Sequence, residues 1–138
     1  MPPVLLLSRP AGTQLLIAVG VPSAFGLLMG FFLITSKPAY AIGSIVAVIG
    51  GLAAGFEHRD AGEGAVRGLI GGLLFGLWIL LPKAMVGDDP KGDIPHPEAL
   101  LVVVTTLGGL ALGAIGGQLR ARYIRRRTPP PPGAAAVG

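Results

Sequence analysis

The densest group of chemically capable side chains in this chain is Glu57-His58-Arg59-Asp60, followed by Glu63 and Arg67. Imidazole and carboxylate groups this close together could bind a metal ion, a nucleotide or a partner protein, and a histidine between carboxylates could sense pH. The same residues also fit a solvated turn in which Asp60 or Glu63 caps a helix and an arginine pairs locally. The sequence leaves both interpretations open.

Arrangements that support catalysis are missing from the sequence. The chain has no cysteine, which excludes disulfides, iron–sulfur clusters, cysteine-zinc sites and thiol nucleophiles. No Ser/His/Asp set, carboxylate pair or metal-ligand spacing is visible, and an apolar segment separates His58 from the second histidine, His96. The sequence therefore predicts a protein that is not an enzyme and that holds no cofactor and no metal.

The composition places these residues in a membrane protein. The 138 residues are 51% hydrophobic and 13% charged, with a mean hydropathy of +0.71. Soluble domains carry about 25% charged residues, and one this small has too much surface to hide so apolar a sequence. The long Leu/Ile/Val runs exclude disorder for most of the chain. Eight arginines to three lysines, with no asparagine, is typical of a GC-rich bacterial genome.

Four apolar stretches are long enough to cross a bilayer, which takes about 20 helical residues with a range of roughly 17 to 25. Prolines at 38, 82, 90, 95 and 97 lie where helices are expected to begin or end, and Pro22 is expected to kink the first helix. The prediction is an all-α, four-helix transmembrane domain at 13–119, preceded by a cytoplasmic segment at 1–12 and followed by a tail at 120–138. The predicted helices run over about 13–34, 39–56, 65–81 and 99–119.

The distribution of lysine and arginine predicts the orientation of these helices. With four spans, both termini and the middle loop share one side, which carries all eight arginines, whereas the other side carries the three lysines. This predicts a multi-pass protein of the bacterial cytoplasmic (inner) membrane with both termini in the cytoplasm. A signal peptide cleaved near 39–41 is the alternative, but the apolar run before it exceeds the roughly 7–15 residues of a signal sequence.

A cluster of five arginines directly follows the fourth span and precedes four consecutive prolines. Each basic residue near an anionic leaflet contributes about 1 kcal/mol to membrane binding. The sequence therefore predicts that this cluster binds anionic lipid headgroups and not nucleic acid, with a disordered, proline-rich tail beyond it. The predicted headgroup residues are Arg120, Arg122, Arg125, Arg126 and Arg127.

Glycines recur at intervals of four residues within the predicted spans. This spacing places them on one helix face, where the missing side chains let another backbone approach closely and drive association in lipid. The prediction is glycine-zipper packing between helices, and the alternative is a glycine-lined pore or a sliding interface. The positions are Gly26, Gly30, Gly51, Gly55, Gly64, Gly68, Gly72, Gly76, Gly109, Gly113 and Gly117.

The two halves of the chain resemble each other. Residues 26–34 align with residues 72–80, each soon followed by a proline and a lysine, and residues 50–55 align with 108–113. These matches predict two parallel helical-hairpin repeats whose symmetry axis lies along the membrane normal. Spans one and three, and spans two and four, are then expected to pack as equivalents.

The glycine pattern also carries a family resemblance. Gly-Gly-Leu-Ala-Ala-Gly-Phe at 50–56, a short charged loop and Gly-Ala-x-x-Gly-Leu-Ile-Gly-Gly-Leu at 64–73 follow one another. Over about residues 43–81 the chain resembles small bacterial membrane proteins of the transglycosylase-associated type, and it is similar to uncharacterised families of glycine-rich four-helix proteins. The resemblance implies a membrane bundle and implies no activity.

The polar side chains inside the predicted spans are mostly hydroxyls: Ser23, Ser44, Thr105 and Thr106. No span has a carboxylate, histidine or lysine at its centre, which argues against ion-coupled transport. Arg67, one turn into the third span, is expected to extend to the cytoplasmic interface. The leading hypothesis is a structural or accessory membrane protein, as a homo-oligomer or a subunit of a larger complex. The alternatives are a small oligomeric channel and a sensor that uses the 57–60 loop.

Overall fold

A computed structural model describes residues 5–87 and 89–127. Its regular structure over these residues is entirely helical, and four helices are long and apolar enough to cross a membrane. A short 3-10 helix, Leu6–Ser8, precedes them. The predicted all-α class with four candidate spans is confirmed, whereas the predicted disorder after Arg127 lies outside the described residues. The four helices are α1 (Ala11–Thr35), α2 (Lys37–Phe56), α3 (Ala61–Val86) and α4 (Ala99–Arg127).

One residue, Ser36, separates α1 from α2. Its backbone is extended, and its side chain accepts a hydrogen bond from the N–H of Ala39 at 3.4 Å. Pro38 falls in the first turn of α2, where its missing N–H leaves no hydrogen bond unmade. The serine cap and the proline together end one helix and begin the next within a single residue.

Helix α3 begins earlier and ends later than the predicted 65–81. Asp60 caps it by accepting from the N–H of Glu63 at 3.0 Å. The prediction that Pro82 ends the helix is wrong, because α3 continues to Val86 and stops at Gly87, which has a φ of +74°. The Pro82 ring packs against Gly30 of α1, where its Cδ would lie 2.8 Å from an added Cβ.

Helix α4 also runs past its predicted end at residue 119. Its 29 residues span about 43 Å at 1.5 Å per residue, which exceeds the roughly 30 Å of a hydrocarbon core. No glycine or proline interrupts residues 118–127, and arginine is a good helix former. The arginine cluster is therefore the last part of α4.

The helices do not pack as two equal hairpins. Helices α3 and α4 share the most extensive contact, α1 packs on α3, and α2 packs on α4. Helices α1 and α2 touch only slightly. We name the two ends of this bundle after their charges: the arginine end carries the α2–α3 loop and the end of α4, and the lysine end carries Lys37, Lys83 and Lys91.

The buried apolar core lies toward the lysine end. Met29, Leu33, Ile79 and Leu101 form it, with exposed fractions of 0 to 6%. The loop before α4 folds back over this core, since the N–H groups of Lys91 and Gly92 both donate to the carbonyl oxygen of Leu33, at 2.8 and 3.1 Å. Ion pairs of Lys37 with Asp93, and of Lys83 with Glu98, hold the same loop. The lysine end is thus the tightly packed end of the bundle.

Candidate functional site

A cleft of about 570 Å³ lies among the four helices, and its lining is mostly apolar. Helix α1 contributes Val21 and Phe25, α2 lines the opposite side over residues 40–54, and glycines of α3 and α4 form part of the remaining wall. The cleft exists because α1 and α2 touch near the lysine end, where Met29 fills the space beside Gly43, and diverge further along. Gly50, two turns beyond Gly43, has no atom within 4 Å of an added Cβ.

Arg67 supplies the cationic group of this cleft. Its Nη2 donates to the carbonyl oxygen of Ile17 at 2.8 Å, which ties α3 to α1. Its Nη1 would lie 2.7 Å from a Cβ on Gly71, so the bare glycine one turn away makes room for the guanidinium. The Nε is buried without a hydrogen-bond partner among the described residues. The side chain therefore lies among the helices and connects α3 to α1.

The acceptor of this hydrogen bond is created by an irregularity in α1. A π-helical turn covers Leu16–Gly20, so the N–H of Val21 donates to the carbonyl of Leu16. The next residue, Pro22, has no N–H to donate. The carbonyl of Ile17 thus lacks its usual donors within the helix, and a buried carbonyl left without a donor costs about 1–3 kcal/mol. Arg67 satisfies it, which couples the π turn at Pro22 to the cation in the cleft.

Three of the four hydroxyl groups singled out in the predicted spans donate to carbonyl oxygens of their own helices. Ser44 donates to the carbonyl oxygen of Tyr40 at 2.8 Å, Thr105 to Leu101 at 2.9 Å and Thr106 to Val102 at 2.6 Å. Such back-bonding leaves few polar groups free to coordinate an ion or a file of water. Among the described residues that line the cleft, Arg67 supplies the charge.

The charged loop at 57–60 is held by contacts within the chain. Glu57 pairs with Arg9 at 3.4 Å, and His58 is 5% exposed with its Nδ1 3.0 Å from the carbonyl oxygen of Ala54. Asp60 caps α3, and Glu63 accepts from the N–H of Arg59 at 3.0 Å. Among the described residues, no group of three histidine or carboxylate side chains could hold a metal ion. These contacts match the capped turn that the sequence left open.

The eleven glycines singled out by their spacing all lie against other parts of the same chain. A Cβ on Gly68 would collide with the carbonyl oxygen of Gly109, and a Cβ on Gly113 would collide with that of Gly64. Gly26 faces Phe75, whose carbonyl oxygen would lie 2.6 Å from an added Cβ. The backbones of α3 and α4, and of α1 and α3, are therefore in close contact at these positions.

The five arginines at the end of α4 do not share one environment. Arg120 is 4% exposed and donates through Nη1 to the carbonyl oxygen of Phe56 at 3.0 Å, where α2 ends. Arg127 lies over the ring of Tyr123, 4.6 Å from its centroid. Arg122, Arg125, Arg126 and Arg127 are exposed at the arginine end. Arg120 thus completes a helix terminus, and the other four remain accessible to lipid headgroups.

The cleft and its cation are the features that the sequence did not predict. The sequence placed Arg67 next to the charged loop and one turn into a span, but its partner Ile17 lies 50 residues away. Pro22 marked an irregular helix but not the residue that would compensate for it. Comparisons with protein-family models, curated proteins and solved structures found no match to the chain.

Proposed function

We propose that the chain is a non-enzymatic integral membrane protein of the bacterial cytoplasmic membrane, with both termini in the cytoplasm, and that it acts by assembling with copies of itself. Four helices of suitable length and apolarity support the membrane location. The exposed arginines at one end and the lysines at the other support the orientation, because cytoplasmic loops are rich in basic residues. Arg122, Arg125, Arg126 and Arg127 would bind anionic headgroups there.

In this proposal the glycine zippers pack the helices within one chain, and a different surface forms the contact between copies. The eleven spaced glycines support this division, since each has a neighbour from its own chain within 4 Å of an added Cβ. Close backbone contact of this kind favours association of helices in lipid. The proposed duplication of the helical hairpin rests on the sequence matches alone, because α3 and α4 pack closely whereas α1 and α2 diverge.

The observation that carries the proposed assembly is the outer face of α2. Only 11% of the most apolar stretch of α2 is buried, which is the lowest share among the four helices. Ile42, Ile45 and Ile49, at spacings of three and four, are 61–64% exposed. These residues share one face, and their branched side chains have few rotamers to lose on contact. We propose this face as the surface through which copies meet.

The two other functions raised by the sequence have less support. A pore needs a continuous polar path, and the hydroxyls of Ser44, Thr105 and Thr106 bond to their own helices. A sensor loop needs side chains free to meet a ligand, and Glu57, His58 and Asp60 have partners within the chain. The assembly is therefore the function that the geometry supports best.

The mass of the purified protein in nanodiscs tests this proposal. We expect a defined oligomer, which Ile45→Trp converts to a smaller species because the ring blocks close approach. The matched control is Leu77→Trp, on an α3 position that is 51% exposed and lies outside the proposed surface. A monomer at every protein-to-lipid ratio would contradict self-assembly. Equal masses for both variants would contradict the assignment of the surface to α2.

A further inference from the structure

We propose that the cleft between α1 and α2 binds one acyl chain of an anionic phospholipid, with the lipid phosphate on Arg67. This inference goes beyond self-assembly and rests on the proposed membrane location. The volume of the cleft, about 570 Å³, falls within the roughly 300–1,000 Å³ of small-molecule sites. The lining is apolar apart from a few groups, as such sites commonly are.

The length of the cleft fits a chain from one leaflet. Its lining on α3 extends from Arg67 to Ile79, a distance of about 18 Å at 1.5 Å per residue. Half of a hydrocarbon core is about 15 Å thick. An acyl chain lying along the cleft would therefore reach from the arginine end to the core near Met29 and Ile79, where packing closes the bundle.

Charge complementarity selects an anionic headgroup. A guanidinium has five N–H donors, and the described residues occupy Arg67 with a single hydrogen bond, to Ile17. The two Nη atoms carry four of these donors, and an arginine fork binds phosphate oxygens well because several donors act together. The cation lies about 9 Å from the start of α3, close to the level where headgroups meet the hydrocarbon. A zwitterionic lipid would place its ammonium group near the same cation and gain less.

The wall of the cleft has positions where it can be filled without disturbing the helices. Gly108 on α4 lines the cleft, and nothing lies within 4 Å of an added Cβ there. A leucine at this position would occupy the space of the acyl chain. Val103, five residues earlier on the same helix, is 50% exposed and does not line the cleft, so a bulky residue there serves as the control.

Native mass spectrometry of the full chain in detergent tests the proposal, with phosphatidylglycerol, phosphatidylcholine, oleate and inorganic phosphate as probes. We expect one phosphatidylglycerol to be retained per chain, with an affinity about tenfold higher than that for phosphatidylcholine, because both lipids offer a phosphate but the choline ammonium of the latter repels Arg67. Gly108→Leu should abolish the retained lipid, and Val103→Phe should leave it. Arg67→Gln, which keeps a donor for Ile17, should remove the preference for phosphatidylglycerol.

Several results would overturn the assignment. Equal retention of both phospholipids would exclude the selection of an anionic headgroup by Arg67. Retention by Gly108→Leu, with unchanged circular dichroism, would exclude the cleft. Displacement of the lipid by inorganic phosphate alone would indicate a free-anion site, and stronger binding of oleate would indicate a fatty-acid site. A protein that forms the oligomer but retains no lipid would refute this inference and leave the proposed assembly intact. A monomer that retains the lipid would refute the assembly and leave this inference intact.

Discussion

Two adjacent glycines in α4 allow a sharp test of the packing between helices. Gly109 faces α3, where an added Cβ would collide with the carbonyl oxygen of Gly68 and lie 2.9 Å from the Cα of Gly72. Gly108 is one residue away and faces open space. Both have ordinary helical backbone, so Gly→Ala at either position changes the same intrinsic helix propensity. Any difference between the two variants therefore reports the contact with α3.

The expected effects have opposite signs. Alanine is better than glycine in a helix by about 1 kcal/mol in water, so Gly108→Ala should be neutral or slightly stabilising. Gly109→Ala must push α3 away by at least about 0.5 Å to reach ordinary contact, and a gap of 0.5–1 Å forfeits roughly a quarter to a half of each dispersion contact. Overpacking of this kind costs about 1–3 kcal/mol. Because the gain in helix propensity is common to both variants, we expect Gly109→Ala to be less stable than Gly108→Ala by about 1–3 kcal/mol, the cost of the overpacking alone.

Reversible unfolding in mixed micelles, with a rising fraction of sodium dodecyl sulfate, measures this difference. Loss of helical circular dichroism and the fluorescence of Trp78, the single tryptophan, should give the same midpoint if unfolding is two-state. Equal midpoints for the two alanine variants would refute the reasoning, because they would mean that α3 and α4 are not in backbone contact at Gly109. A loss of stability in Gly108→Ala would equally refute the open space assigned to that position.

Three further predictions concern the polar contacts, and the same unfolding assay measures each of them. Arg67→Ala should destabilise the protein by about 1–3 kcal/mol, because it leaves the Ile17 carbonyl without a donor. Adding Pro22→Ala to this variant should recover part of the lost stability, because it restores a backbone N–H. If the double variant is no more stable than Arg67→Ala alone, the proposed coupling between Pro22 and Arg67 is contradicted. Asp60→Ala should cost about 1 kcal/mol through the lost cap, whereas Asp89→Ala, at an exposed residue, should have no effect. Arg120→Ala should destabilise the protein by about 1–3 kcal/mol, because the carbonyl of Phe56 loses its buried donor. Arg125→Ala, at the exposed end of α4, should leave the stability unchanged. A larger loss of stability for Arg125→Ala than for Arg120→Ala would contradict the environments assigned to the two arginines.

The sequence predicted the existence of the four helices better than their ends. Long apolar runs fix the number of spans, because no other element can bury their backbone in lipid. The ends of α3 and α4 depended on tertiary context. Pro82 continues a helix because Gly30 gives its ring room, and the arginines after Leu119 remain helical because nothing interrupts them and Arg120 reaches back to Phe56.

The candidate site was beyond sequence reasoning for a different reason. The glycine spacing indicated close packing but not which helices would pair, and the pairing decides where space is left over. Glycines of α3 and α4 lie against the backbone of the other helix, whereas α1 and α2 meet at Met29 and Gly43 and then separate. The cleft is the space left between α1 and α2. It depends on how the helices pair, so no local sequence pattern predicts it.

Stability and binding are consequently divided between the two ends of the bundle. At the lysine end, the core around Leu33 and the loop that donates to its carbonyl hold α1 in place. Toward the arginine end, the contact of Arg67 with Ile17 is the hydrogen bond that joins α1 to α3 among the described residues. A π turn followed by proline weakens the helix at that point, so α1 can adjust there while the core stays closed. An anion that engages the N–H donors that Ile17 leaves free would lie in the cleft beside this adjustable part of α1.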